Sequence, residues 1–158
     1  MCRYAYANYK PHLACFACRK VYRRRLPSDA DHQGPSKPPV CPDCAGPVAD
    51  MGRDFKAPPR EDRKAWQLAA RLWTIGETFH SCGCGGPGYR PRDPDGYREF
   101  LTERRRWYHE NLRSATIDPR RTGFDERADA EAYWRIRLAA IEAGMREAGM
   151  PLPPLAGG

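Results

Sequence analysis

The sequence predicts an α+β fold in which a small, cysteine-stapled β module precedes about three α-helices. Two Cys-x-x-Cys motifs fall within the first 50 residues, and prolines and glycines interrupt the first 60 residues and the stretch 80–96. Apolar residues recur at helical spacing in residues 61–79 and 94–149. We therefore divide the chain into a β module at 1–59, a helical region at 60–149 with a glycine- and cysteine-rich turn at 80–91, and a flexible tail at 150–158.

The two cysteine motifs carry the most specific chemical signal in the chain. Cys15 and Cys18 are followed, after 22 residues, by Cys41 and Cys44. Two such turns offer four thiolates, which can surround one ion tetrahedrally at metal–sulfur distances of roughly 2.3 Å. Residues 27–39 lack periodicity and contain many breakers, which predicts a loop at the tip of the intervening hairpin. The spacing predicts a zinc-ribbon β-hairpin holding one structural zinc ion.

Iron binding and thiol redox chemistry are the other common uses of paired cysteine motifs. Rubredoxins bind iron with two such motifs, but they usually have glycine where this chain has Arg19-Lys20. No βαβ pattern of the thioredoxin type surrounds either motif. A segment of this size with few aliphatic side chains buries too little apolar surface to fold alone, so metal ligation must supply folding free energy. These points favour structural zinc.

Short strands are predicted around the cysteine motifs. Residues 3–9 alternate aromatic and small side chains, Val21-Tyr22 continues from the first motif, and residues 48–55 supply a returning strand.

Three helices are predicted after the β module. The first runs from Glu61 to Phe79, and the second begins near Pro94 with proline at its first position. A break is predicted from Asp118-Pro119 to Gly123, after which the third opens at Asp125. In the second helix the arginines 104–106 are predicted to lie mostly on the solvent side, where with Trp107 and Tyr108 they form a lower-ranked basic patch.

Excess positive charge is concentrated in the β module. Residues 1–60 carry 11 Lys/Arg and 5 Asp/Glu, whereas residues 61–158 carry 16 and 15. A basic surface favours anionic partners, and aromatic rings among the cations suit unpaired bases. We predict a nucleic-acid-binding face, with RNA or the ribosome favoured over DNA, formed by Arg19, Lys20, Tyr22, Arg23, Arg24 and Arg25. The rival interpretation is a zinc-stabilised protein-interaction or scaffold module whose charge is incidental.

The segment 80–91 holds a second cluster of potential ligands, His80, Cys82 and Cys84. One interpretation is a second metal site, which would need a fourth ligand from among Cys2, His12 and His109. Another is an anion site, in which backbone N–H groups of the glycine turn hold a phosphate with help from Arg90 and Arg92. The third is a helix-capping turn whose free cysteines pack as small hydrophobic residues.

The sequence argues against a membrane protein and against an enzyme. No run of about 18 apolar residues is present, and the first residues lack the apolar core of a secretory signal. We therefore expect a cytoplasmic protein with reduced thiols and no membrane partner. No phosphate-loop or nucleophile arrangement is present, so we predict no catalytic residues. An enzyme or metal sensor built on His80, Cys82 and Cys84 is the least favoured class.

Four segments together resemble a family of small bacterial zinc-ribbon proteins of uncharacterised function. They are the two cysteine motifs, Met51-Gly-Arg-Asp-Phe-Lys-Ala-Pro58 and His80-Ser-Cys-Gly-Cys-Gly-Gly-Pro-Gly-Tyr89. The resemblance covers roughly residues 3–91 and implies a zinc-ribbon fold, without implying an activity. Zinc ribbons more widely occur on ribosomal proteins, transcription factors and nucleic-acid enzymes, an analogy that favours nucleic acid as the partner.

Overall fold

A computed structural model describes residues 10, 12–23, 38–81 and 88–154. Within these residues the chain forms one three-stranded antiparallel sheet and three α-helices, which confirms the predicted α+β class. The described residues separate into two compact units. One contains the residues up to Trp73 together with those of Glu77–Arg90, and the other contains Thr74–Gly76 and the residues from Pro91 onward. The division predicted at residues 59 and 60 stays a prediction.

The sheet of the first unit is built from very short strands. They are β1 (His12–Cys15), β2 (Lys20–Arg23) and β3 (Ala49–Asp50), in the order β2-β1-β3. Leu13 faces Tyr22 on one side and Asp50 on the other. The strand predicted at Val21-Tyr22 is confirmed within β2, whereas β1 was not predicted, and the strand predicted at 3–9 lies outside the described residues.

The returning strand predicted at 48–55 is wrong in length, because only Ala49–Asp50 pair with β1. Gly52 has a φ of 86°, so the chain turns there, and Phe55 N–H donates to the Gly52 carbonyl at 3.3 Å. Phe79 then pairs with this segment, donating to the Met51 carbonyl at 2.7 Å and accepting from Asp54 at 3.2 Å. A Cβ on Gly52 would lie 2.4 Å from the His80 nitrogen, so only glycine allows this approach.

Helix α1 (Arg63–Thr74) begins at Asp62, whose carboxylate accepts from Ala65 N–H at 3.0 Å. Its buried side contributes to a small core made of Ala14, Ala49, Met51, Phe55, Trp66 and Ala69. The sequence pattern predicted a helix as far as Phe79, but α1 ends at Thr74. Gly76 has a φ of 74°, and Glu77 N–H donates back to the Leu72 carbonyl at 2.8 Å, which closes the helix in a left-handed cap.

The second unit is organised by two long helices. Helix α2 (Pro94–Ile117) begins where predicted, with the Asp93 carboxylate accepting from Gly96 N–H at 2.8 Å. A 3-10 helix (Pro119–Thr122) and Gly123, at a φ of 84°, form the predicted break before α3 (Arg127–Glu147).

Side chains from both of these helices form the core of the second unit. Its buried members are Ile75, Tyr97, Phe100, Leu101, Tyr108, Ala115, Ala130, Trp134, Ile141, Gly144 and Met145. Gly144 permits close packing, because a Cβ there would meet Ile75 Cγ2 at 2.7 Å. None of the described helices is both long and apolar enough to cross a lipid bilayer.

The placement of Arg105 on the solvent side of α2 is wrong. Its side chain is buried, with Nε donating to Glu142 Oε1 at 2.9 Å and Nη1 to the Pro153 carbonyl at 2.7 Å. Arg105 follows Leu101 by four positions and precedes Tyr108 by three, so it lies on the apolar face despite its charge. Its bond to Pro153 also holds part of the segment that the sequence predicts to be a flexible tail.

Candidate metal centre

The four cysteines of the paired motifs meet at one point in the first unit. Their Sγ atoms all lie within 4.8 Å of one another, and they form the one group of three or more potential ligands found among the described residues. Cys15 Sγ is 3.7 Å from Cys44 Sγ, and Cys18 Sγ is 3.9 Å from Cys41 Sγ. These separations are far longer than a disulfide bond of about 2.0 Å, so all four are free thiols.

Two of the sulfur separations match the edge length of a tetrahedral four-thiolate site. Metal–sulfur bonds of roughly 2.3 Å, directed to the corners of a tetrahedron, place the sulfurs about 3.8 Å apart. The Cys15–Cys44 and Cys18–Cys41 separations, 3.7 and 3.9 Å, bracket that value. The cluster could therefore hold one metal ion without a large movement of any cysteine.

Each cysteine pair lies at the tip of its own short antiparallel pairing. The first follows β1 and leads into β2, and the second lies between Val40 and Pro47, which form an isolated bridge. In the second turn, Cys41 N–H donates to the Gly46 carbonyl at 2.8 Å and Ala45 N–H donates to the Cys41 carbonyl at 2.8 Å. Short pairings of this kind constrain each turn, so that its two cysteine side chains lie on the same side of the turn.

The residue after the second cysteine of each pair has the same unusual backbone conformation. Arg19 has a φ of 52° and Ala45 a φ of 55°, and they are the only non-glycine residues with positive φ in the described part of the chain. The left-handed region costs an L-residue roughly 1–2 kcal/mol. In the first turn this geometry accompanies a hydrogen bond from Cys18 N–H to Cys15 Sγ at 3.4 Å. In both turns the residue with a strained backbone directly follows a cysteine of the cluster.

Tyr22 on β2 contacts the cluster directly, with its hydroxyl oxygen 3.4 Å from Cys41 Sγ. Burial acts to raise the pKa of Cys41. Hydrogen bonds from Tyr22 and from the backbone of Cys44 and Asp43 outweigh burial and bring that pKa to about 6. The same contact raises the pKa of Tyr22, because ionised Cys41 favours the neutral phenol that donates to it. Cys41 is therefore poised to be a thiolate at neutral pH.

Cys15 and Cys18 retain their protons more strongly than Cys41 does. A hydrogen bond with Cys44, followed by burial, raises the pKa of Cys18 to about 12. Burial raises the pKa of Cys15. Four thiolates cannot crowd together without a compensating positive charge, and a divalent cation supplies that charge and displaces the remaining protons.

An ion pair joins the two cysteine turns on their exposed side. Lys20, which begins β2, pairs with Asp43, which lies between Cys41 and Cys44. This hydrogen bond is the main cause of the lowered pKa of Asp43, with a second contribution from Tyr22. Neither Tyr22 nor Asp43 was assigned to the metal site from sequence. The two-residue spacing of Lys20 and Tyr22 on one strand is the available signal, but it does not identify their partners in the second cysteine turn, Asp43 and Cys41.

The residues predicted to form a nucleic-acid-binding face have varied surroundings. Arg23 is exposed at the end of β2, whereas Lys20 is paired as described above. Arg19 is held by a hydrogen bond from its Nε to the Arg60 carbonyl at 2.8 Å. Arg24 and Arg25 lie outside the described residues. Nucleic-acid binding by these side chains stays a prediction.

The second predicted cluster is only partly within the described residues, since Cys82 and Cys84 fall outside them. His80 Nε2 lies 3.3 Å from Asp50 Oδ1, and its Nδ1 lies 2.8 Å from Thr78 Oγ1, so both ring nitrogens have partners. Arg90, invoked for the anion alternative, donates from Nη2 to the Thr78 carbonyl at 2.7 Å and pairs with Glu77. Both side chains thus contact the protein itself.

Comparison of the chain with known protein families, with curated proteins and with solved structures finds no match.

Proposed function

We propose that Cys15, Cys18, Cys41 and Cys44 bind one zinc ion with a structural role. The observation that carries this proposal is the pair of sulfur separations at 3.7 and 3.9 Å, which match the edge length of a tetrahedral zinc–thiolate site. A four-sulfur donor set fills the coordination shell of zinc and leaves no position for substrate or water, which supports a structural and non-enzymatic role. The proposed fold of this unit is a zinc ribbon, in agreement with the resemblance noted for residues 3–91.

Metal content of the native protein tests the first part of this proposal. Elemental analysis is expected to give one zinc per chain and a Cys44→Ser variant is expected to lose it, whereas Ser81→Ala, outside the cluster, retains it. One zinc that persists without Cys44, or iron in its place, would contradict the assignment. A second zinc lost with His80→Ala would support the alternative site at His80, Cys82 and Cys84.

We further propose that the zinc ribbon binds nucleic acid, with RNA favoured over DNA. The excess of Lys/Arg over Asp/Glu in residues 1–60 and the exposure of Arg23 support an electrostatic interaction with phosphates. The pairing of Lys20 with Asp43 neutralises one cation of this face and favours the rival interpretation, a scaffold that binds a protein. Salt dependence separates the two interpretations.

Fluorescence anisotropy with single-stranded RNA and with DNA of the same sequence provides the test. If the face neutralises about three phosphates, log K falls with log salt with a slope near −2 for single strands. Arg23→Gln should weaken binding, whereas Arg146→Gln, exposed on α3 in the other unit, is the control. No binding at low salt would contradict the nucleic-acid proposal and leave the zinc proposal intact.

A further inference from the structure

Three arginines from separate parts of the first unit line one shallow depression. Arg19 comes from the first cysteine turn, and Arg60 and Arg63 come from the segment that enters α1. The depression has a volume of about 410 Å³, and one carboxylate among the described residues, that of Glu61, also lines it. Three cations and one anion leave a net positive charge at this surface, so the ligand that it favours is an anion.

The Arg19 side chain is held in position by a backbone carbonyl, which does not neutralise its charge. Its backbone has a φ of 52° directly after Cys18, and its Nε donates to the Arg60 carbonyl at 2.8 Å. A guanidinium group has five N–H donors, so this bond leaves four for another acceptor. None of the ion pairs among the described residues uses the guanidinium groups of Arg19, Arg60 or Arg63. The positive charge of Arg60 does contribute at longer range to the lowered pKa of Asp43.

The turn that presents Arg60 and Arg63 is fixed by the core. Trp66 is buried, and its indole N–H donates to the Pro59 carbonyl at 3.1 Å. Asp62 N–H donates to the same carbonyl at 3.0 Å, and the Asp62 carboxylate caps α1. The backbone of all three arginines is therefore ordered before a ligand arrives, which lowers the entropic cost of binding.

We propose that Arg19, Arg60 and Arg63 bind a backbone phosphate of single-stranded RNA. Guanidinium groups match the geometry of phosphate oxygens and form charge-assisted, bidentate hydrogen bonds with them. The depression is shallow, so a phosphodiester within a strand enters it without threading its neighbouring nucleotides through an opening. This inference rests on the proposed nucleic-acid binding and adds Arg60 and Arg63, which the sequence interpretation did not include.

Charge-matched double variants test the site. Arg60→Gln/Arg63→Gln removes two cations from the depression, and Arg71→Gln/Arg98→Gln removes two exposed cations outside it. Binding of a labelled RNA of about 12 nucleotides is measured by anisotropy from 50 to 200 mM salt. The first variant is expected to lose affinity about tenfold or more and to lower the salt slope by about 1. The second is expected to change affinity by less than about threefold, because neither Arg71 nor Arg98 lines the depression.

A conservative variant and a measurement of metal content test whether a loss of RNA affinity comes from a change in the structure of the protein. Arg60→Lys/Arg63→Lys keeps the charge but loses the planar fork, and it is expected to recover part of the affinity with the full salt slope. All variants should retain the bound metal and an unchanged melting temperature.

The possible outcomes distinguish the phosphate site from nucleic-acid binding in general. Equal losses in the two glutamine variants would overturn the phosphate site and leave nucleic-acid binding in place. No binding of RNA by the unaltered protein at 50 mM salt would overturn both. Phosphorus NMR with inorganic phosphate is a further measurement. If Arg60→Gln/Arg63→Gln lost binding of inorganic phosphate but bound RNA normally, the site would bind a free anion and the proposal would be wrong.

Discussion

The two compact units of this chain differ in the length of their secondary-structure elements and in the size of the side chains in their cores. The first has strands of 4, 4 and 2 residues and a core in which three of the six clustered side chains are alanine. The second has helices of 24 and 21 residues and a connected set of aromatic contacts, in which Trp134 packs against Trp107, Tyr108 and Tyr133 at centroid distances of 5.5, 5.8 and 4.9 Å.

The difference leads us to expect different sources of folding free energy in the two units. Burial of large apolar and aromatic side chains stabilises the second unit, at roughly 1.5–3 kcal/mol for each fully buried side chain. Among the described residues, the first unit buries six large apolar side chains and the second buries eight; the six are Leu13, Met51, Phe55, Trp66, Leu68 and Leu72. A bound metal can supply further folding free energy to the first unit, because ligation of structural zinc contributes on the order of 10–16 kcal/mol.

Removal of the metal is expected to have the largest effect, and to act on one unit. A strong chelator, or the Cys41→Ser substitution, should abolish hydrogen-exchange protection of the amides in β1, β2 and β3. Amides in the middle of α2 and α3 should keep theirs, because their protection comes from apolar packing. Mass spectrometry of exchanged peptides gives both readouts in one sample. Equal loss in the two units, or none in the sheet, would break the comparison.

A core substitution in the second unit is expected to give the reverse result. Leu101 is fully buried, and Leu101→Ala should lower the free energy of unfolding of that unit by roughly 3 kcal/mol. The bound metal should remain at one ion per chain. Ile136, which is 69 % exposed, is the matched control, and Ile136→Ala should cost less than about 0.5 kcal/mol. Loss of metal from Leu101→Ala would show that the units do not hold their stability separately.

Two glycines with similar backbone angles offer a finer test. Gly52 and Gly123 have φ values of 86° and 84°, but a Cβ on Gly52 would strike the backbone of Phe79 and His80, whereas one on Gly123 meets nothing within 4 Å. We expect Gly52→Ala to destabilise the first unit by roughly 2–3 kcal/mol and Gly123→Ala to cost the second about 1 kcal/mol, by denaturant titration. Equal costs would mean that the pairing of Phe79 with the Met51–Asp54 segment is dispensable.

Tyr22→Phe is expected to weaken metal binding about tenfold, since partners of metal ligands commonly have effects of that size. Tyr22 lowers the pKa of Cys41, so its removal raises that pKa, and protons then compete with the metal at higher pH. The pH at which half of the metal is released should shift upward in a competition titration with a chromophoric chelator. Tyr133→Phe in the other unit is the control and should leave that pH unchanged.

The smallest expected effect is a stabilisation. Ala45 has a φ of 55°, so Ala45→Gly should relieve strain and raise the stability of the metal-bound first unit by up to about 1 kcal/mol. The same change in a helix has the opposite sign, and Ala139→Gly on the exposed side of α3 should cost about 1 kcal/mol. Thermal melts of both variants, with metal present, should show a higher melting temperature for Ala45→Gly and a lower one for Ala139→Gly.

Local signals in the sequence were sufficient for several features. Pro94 as the first residue of α2 and Gly123 as the end of the break lie where predicted, because proline fixes its own φ and glycine permits the left-handed region. The cysteine spacing predicted a four-thiol cluster, and the four sulfurs do meet. Such features depend on a few neighbouring residues and need no knowledge of the rest of the fold.

Other features depended on partners far away in the chain. The periodic apolar residues predicted α1 as far as Phe79, but Gly76 ends the helix and Phe79 pairs with Met51 instead. Charge predicted Arg105 at the surface, yet Glu142 and the Pro153 carbonyl allow it to be buried. In each case a partner roughly 30 to 50 positions distant in sequence supplied the interaction that local pattern could not include.

By itself, then, the sequence determined the class of the fold, the start of α2, the start of the break before α3, and which four thiols cluster. Side-chain chemistry and backbone restriction are properties of single residues and short spacings, so these features could be predicted without the tertiary structure. Only the tertiary structure decided that Tyr22 contacts Cys41, that Lys20 joins Asp43 across the two turns, and that Arg19 meets Arg60. These are contacts between segments 19 to 41 residues apart, and the path of the chain between them sets their distances.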